Sequence, residues 1–208
     1  MAMSTGNGGG NDKAFFAKIQ GLKKGSKELY FEVKTKEDGE LVVIKEKPTK
    51  IEGYLEKIEM RKFEYDGKVH DDIKLIMKDN GEVYFISVGM NSMSRNIFNS
   101  LATVELFGKI AISVYFNKKG FPTSFITNDG AKTAWKYTFE ELNAKVEDVK
   151  NSKGEVLQRD YSELDRFYLE TIIPAIQAKL VTNDGAGYVA DTLAEGNDSS
   201  NDDSDLPF

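Results

Sequence analysis

The chain has 208 residues, with 28 Lys and Arg against 34 Asp and Glu, a formal charge of −6 and no cysteine. Thiol nucleophiles, disulfides and cysteine metal sites are therefore excluded, and a single histidine, His70, argues against a His-based zinc site or a Ser–His pair. No apolar run approaches the ~20 residues of a membrane span, and the N-terminus has neither a charged n-region nor an apolar h-region, so a soluble cytoplasmic protein is expected.

In chain order, residues 1–13 are glycine-rich and are expected to be disordered. Residues 15–19, 28–34 and 41–45 read as short strands separated by Lys24-Gly25-Ser26 and Glu37-Asp38-Gly39. This N-terminal β-meander, residues 14–46, is too small to hold a core alone and should pack onto the strands beyond residue 50.

A long segment, residues 50–65, comes next. Its core-facing phase slips near Glu56-Lys57: Ile51, Gly53 and Leu55 share one parity, Ile58 and Met60 the other. A β-bulge produces such a slip, and Gly53 is a plausible bend. After Asp66-Gly67, residues 73–78 place Ile73, Leu75 and Met77 on one face. Asp79-Asn80-Gly81 then turns into a strand at 83–88. Residues 92–104 carry Met93, Ile97, Phe98 and Leu101 at helical spacing, capped by Asn91 or Ser92. Strands resume at 110–116 and 121–127, joined by Asn117-Lys118-Lys119-Gly120.

Three strands, a helix and two strands over residues 50–128 is the connectivity of an OB-fold. The alternative is an unrelated small β-barrel or sandwich. Beyond it, Thr138 to Glu141 matches a capping box, followed by an apolar stripe of Phe139, Leu142, Val146 and Val149. A second helix runs from Ser162 to about Leu180, with Leu164, Tyr168, Ile172 and Ile176 on one face and Pro174 expected to kink it. These two helices, residues 138–181, either cover the barrel or mediate self-association. The expected fold class is mainly β, a β-barrel of OB type with an N-terminal β-meander, two C-terminal helices and a disordered acidic tail.

That tail holds the charge. Residues 182–208 contain seven acids and no Lys or Arg, leaving 27 acids against 28 bases in residues 1–181, a net of +1. The chain finishes on Asp202, Asp203, Ser204, Asp205, Leu206, Pro207 and Phe208. Leu206 and Phe208 can fill a small apolar pocket, Pro207 stiffens the tip, and the carboxylates suit a basic rim. The bland alternative is a solubilising acidic tail.

The ending, from Asp202 to Phe208, resembles the C-terminal tip of single-stranded-DNA-binding proteins of bacteria and their phages, with Leu206 where isoleucine is common. The resemblance implies a non-enzymatic protein without cofactors in a bacterial or phage-infected cell. It implies an OB-fold body that holds and protects single-stranded DNA, and a tip that recruits replication, recombination and repair proteins. It does not reach the body, so the residues expected to contact DNA rest on the inferred topology alone.

OB-folds present ligand-binding residues on their second and third strands and in two loops. The first loop region offers Arg61, Lys62, Phe63, Tyr65 and Lys68, and the two strands Lys74, Lys78 and Tyr84. The second loop offers Phe116, Lys118, Lys119 and Phe121, and Trp135-Lys136-Tyr137 lies just beyond. Such cations and aromatics bind phosphates and stack on bases. Phe116 is equally a core residue by parity, Tyr84 is expected outward and Phe85 inward, at least one of Phe121 and Phe125 should be core, and Trp135 either stacks or plugs the core. His70-Asp71-Asp72 reads as a solvated turn. No Walker loop, dinucleotide glycine pattern or catalytic triad is present. The rival function is an OB-like protein-interaction adaptor or an RNA-binding module.

Overall fold

The computed structural model describes residues 12–22, 26–105 and 107–182, with the side chains of Tyr65, Lys68 and His70 outside the description. The acidic tip, Asp202 to Phe208, lies outside it as well.

Alternating apolar residues set the strands, and tight turns set their registers. β1 (Lys13–Gln20), β2 (Tyr30–Glu37) and β3 (Glu40–Val43) form the N-terminal meander. β4 (Lys50–Tyr65), β5 (Lys68–Asp79) and β6 (Glu82–Val88) form a second one. The turn between β5 and β6 holds Asn80 at φ 47° and Gly81 at φ 78°, and that between β4 and β5 holds Asp66 at φ 52° and Gly67 at φ 67°. Two successive positive φ values match the right-handed strand twist and favour Asn-Gly and Asp-Gly.

The bulge stands where the phase slips. Leu55 pairs with Met77 and Lys57 with Ile76, so Glu56 is the extra residue. Beyond it, Ile58 returns to the core at 1% exposure. A Cβ on Gly53 would meet the Lys78 carbonyl oxygen at 2.8 Å, which accounts for glycine there.

Helix α1 (Ser92–Leu101) starts at Asn91, whose side chain accepts from the Met93 and Ser94 amides. β7 (Lys109–Phe116), β8 (Pro122–Asn128) and the two-residue β9 (Ala131–Lys132) complete one sheet, in the order β3-β2-β1-β6-β5-β4-β7-β8-β9.

This sheet is open, which corrects the expected closed five-strand barrel. The outer edge of β6 is taken by β1 in a parallel pairing, Phe15 opposite Tyr84 and Phe16 opposite Phe85. With β5 on its other side, β6 has no backbone groups left for β8. The N-terminal meander is thus part of the main sheet. The segment before β4 also closes onto β2, where Phe31 N–H donates to Pro48 O at 2.8 Å.

The C-terminal region departs further from expectation. α2 (Phe139–Asn143) has the capping box at Thr138 and Glu141 but ends after five residues. The chain then forms a separate hairpin of β10 (Glu147–Lys150) and β11 (Val156–Asp160). Asn151 nucleates it, its Oδ1 accepting from the Lys153 and Glu155 amides. Val149 therefore lies in a strand and is exposed, as is Phe139. The last helix begins with α3 (Ser162–Phe167), passes through a π-turn at Tyr168–Ile172 and continues over 173–182. Pro174 explains the π-turn. It has no N–H and its ring crowds the preceding turn, and Ile173 N–H reaches five residues back to Tyr168 O.

One core joins these parts. Phe31, Ile58, Leu75, Met77 and Ile86 of the sheet meet Ile97, Phe98 and Leu101 of α1 and Tyr168, Ile172 and Ile176 of the last helix, all nearly fully buried. No helix among the described residues is long and apolar enough to cross a membrane.

Candidate nucleic-acid interface

Residues directly opposite in a ladder point to the same side of the sheet, so the registers define two faces. One carries Ile73, Leu75, Met77, Ile86 and Val88 and lies under the helices. The other faces solvent.

On the solvent face one row runs across six strands: Val43, Lys34, Phe16, Phe85, Ile76 and Lys57. At ~4.8 Å per strand this row is roughly 24 Å long. Phe16 and Phe85 stack with centroids 5.4 Å apart, and Phe16 keeps 40% of its surface exposed. A flanking row holds Lys18, Ser87, Lys74 and Glu59. On the other side Tyr54, 55% exposed, lies between Lys78 and Lys109. Further along, Tyr115 packs edge-on to Phe125, and Lys132 Nζ sits 5.8 Å from the Phe125 ring centroid.

The expected site residues divide. Lys74, Arg61 and Phe63 belong to this face by register. The β4–β5 hairpin that carries Arg61 and Phe63 runs beyond the core as an exposed arm. Lys62 lies on its opposite side, and Tyr65 and Lys68 pair at its tip. Register sets Arg61 opposite Asp72 and Lys62 opposite Asp71, so the arm carries acids beside its cations.

Lys118, Lys119 and Phe121 are exposed on the β7–β8 turn. That turn lies past the Lys50 end of β4, since Lys50 pairs with Ser113, whereas the arm leaves from the Tyr65 end. The two loops are therefore separated by the length of β4 along the ladder.

Three expected contacts lie off the solvent face. Tyr84 faces the core side with Met77 and stacks on Phe15 at 5.0 Å, while Phe85 is the outward residue. Phe116 packs against the core, as its parity with Val114 allows. Tyr137 is half-buried edge-on to Phe167. Phe125 is also not core: Ser124 and Ile126 take the buried positions. Trp135 and Lys136 are exposed, but on the segment crossing α1 rather than on the sheet face.

Asn99 fixes that segment. It is 1% exposed, donates from Nδ2 to Tyr137 O and accepts at Oδ1 from Tyr137 N–H, both at 2.9 Å. Arg95 anchors the last helix, donating to Asp165 Oδ1 at 2.6 and 2.8 Å and lying over the Tyr161 ring. Lys179 Nζ donates to the Ala102 and Val104 carbonyls at the end of α1. None of these long-range partnerships has a local sequence signal.

Most cations of the face are held by neighbouring acids. Lys57 and Arg61 both pair with Glu59, at 2.9 and 3.0 Å, and this holds the Glu59 carboxyl below its usual range, Lys57 contributing most. Lys109 pairs with Asp79 at 2.9 Å and with Glu52 at 3.5 Å, which raises its pKa, the Asp79 hydrogen bond contributing most. Exposed pairs of this kind are weak, and a phosphate can take the place of the carboxylate.

On the core side a pocket of about 400 Å³ is lined by Phe15, Val33, Ile44, Pro48, Ile51 and Tyr84, with Lys13 and Lys50 at its edge. Burial, then the Glu82 carboxylate at 2.7 Å, pushes the Tyr84 phenol up to about 12. Among the described residues no group of His, Asp and Glu could hold a metal ion. No protein-family model, curated protein or solved structure matches the chain.

Proposed function

We propose that the protein binds single-stranded DNA without sequence preference, protects it, and recruits replication, recombination or repair proteins through the tip from Asp202 to Phe208. The observation that carries the binding half is the uncovered sheet face, where Phe16 and Phe85 stand in a row between Lys34 and Lys57, and Tyr54 stands between Lys78 and Lys109. Aromatic faces stack on any base, and cations meet the phosphates between them. The assignment to the OB class rests on β4 to β8 with α1, which keep the OB order while β1 occupies the edge that would close the barrel. The recruitment half rests on the terminal resemblance.

Duplex DNA turns its bases inward and offers no stacking surface, so preference for single strands is the discriminating property. Titration of the full chain with poly-dT at ~50 mM salt should show retention on the single strand and several-fold weaker binding to a duplex of equal length. Absence of poly-dT binding, or equal affinity for both forms, would sink this reading.

A further inference from the structure

The end of the sheet at β3 is an unfinished edge. Ile44 N–H donates to Val33 O at 2.8 Å, and Thr35 faces Val42. Bonded and non-bonded pairs alternate in an antiparallel ladder. Glu40, Val42 and Ile44 therefore turn their backbone groups toward β2, and Leu41 and Val43 turn theirs outward. No strand among the described residues lies beyond β3. Leu41, Val42 and Val43 are 60%, 41% and 51% exposed. The strand has no lysine, proline or bulge, the devices that ordinarily blunt such an edge. At the opposite end of the sheet β9 is two residues long and pairs with Thr127 and Asn128 of β8.

We propose that a second copy of the chain pairs through β3, its β3 running antiparallel to the first. The two-fold axis must stand normal to the sheet, because each residue and its symmetry mate face the same side. Centred on Val42, the pairing uses both outward residues of β3. Leu41 bonds with Val43 of the second copy, Val43 bonds with its Leu41, and the two Val42 residues face each other at the axis. Apolar contacts then form on both faces, Leu41 against Val43 on the solvent side and Val42 against Val42 on the other. A second copy is favoured over an unrelated peptide because this match needs no sequence other than the chain's own.

The same axis turns both solvent faces to one side. The row from Lys57 to Val43 continues into Leu41 and Lys36 of the second copy, doubling the surface offered to one strand. The buried area is roughly 500 Å², under the ~1,200 Å² of a stable complex. The pair is therefore weak in free solution and fills when both copies sit on one strand, where their effective concentration reaches about millimolar. This strand-dependent step rests on the single-stranded-DNA reading; the pairing itself does not.

The chain has no cysteine, so Val42→Cys reports on the axis. Its Cα would stand ~4.5 Å from its mate, within disulfide range. Leu157→Cys, on exposed β11, is the control. In the full chain under mild oxidation, Val42→Cys should form dimer about 10-fold faster than Leu157→Cys. Oligo-dT of about 40 nucleotides should speed it further and oligo-dT of about 10 should not. Adding Leu41→Lys should return it to the control rate. Val42→Cys no faster than the control, with or without DNA, overturns the pairing. Fast cross-linking without binding or acceleration by oligo-dT leaves the pairing standing and removes the DNA reading.

Discussion

Two tyrosines, Tyr168 buried and Tyr84 half-buried, show what single hydroxyls do in this core. Tyr168 is fully buried, and its hydroxyl has no hydrogen-bond partner among the described residues. Burial raises its pKa. An unsatisfied buried polar group costs about 1–3 kcal/mol, so Tyr168→Phe should stabilise the protein by about 1 kcal/mol, read as a higher urea midpoint. Tyr84 differs because its hydroxyl donates to Glu82 at 2.7 Å. Its folded pKa of about 12 stands above the ordinary 10.0, so the fold favours the neutral phenol. That contribution is complete below pH 10 and is lost as pH rises through about 12. Between those limits the urea midpoint of the native protein should fall more steeply than that of Tyr84→Phe. Equal slopes would show that Tyr84 ionises as freely folded as unfolded.

At the scale of elements, the β4–β5 arm and the sheet face make opposite predictions. The arm matches Arg61 to Asp72 and Lys62 to Asp71, so replacing both cations by alanine should change single-strand affinity by less than about 3-fold. Phe16→Ala or Tyr54→Ala should each weaken it by about 5- to 150-fold, the ~1–3 kcal/mol of a lost base stack. Fluorescence titration of each variant against poly-dT decides between them. Sequence pattern carried the elements whose cause is local. The phase slip at Glu56, the cap at Asn91 and the turns at Asp66 and Asn80 are each visible within a few residues. What it missed depends on distant partners. Nothing near residue 14 announces β6 as its neighbour, and without that pairing the choice between Tyr84 and Phe85 rests on one strand's parity. The second helical stripe failed because a period of three or four over Phe139, Leu142, Val146 and Val149 carries no account of Asn151, which closes a hairpin instead.

For the whole molecule, charge is divided between a body near +1 and a tail with seven acids. Because most cations of the face are already paired with carboxylates, a phosphate that meets one of them displaces an acid as well as releasing its counterions. The salt dependence of poly-dT binding should therefore be shallow, corresponding to about two to four phosphates. The acidic segment follows a helix tied to α1 through Lys179. Replacing Asp202, Asp203 and Asp205 by asparagine in the full chain should tighten poly-dT binding about 2- to 5-fold at low salt. The difference should vanish near 0.5 M salt, where the Debye length falls to about 4 Å. An unchanged affinity at low salt would exclude competition between tail and DNA.

The parallel pairing of β1 with β6 also sets an order of events in time. Lys13 meets Glu82, sixty-nine residues later in the chain. During synthesis β1 leaves the ribosome first and waits roughly 3–14 s for its partner to be made. The hairpins from β4 to β6 close over short distances and can form without it, whereas docking β1 carries the entropy of a long loop. The N-terminal meander should be the last part of the sheet to gain protection in pulsed hydrogen exchange. Until it docks, the edge of β6 is an open template for misassembly.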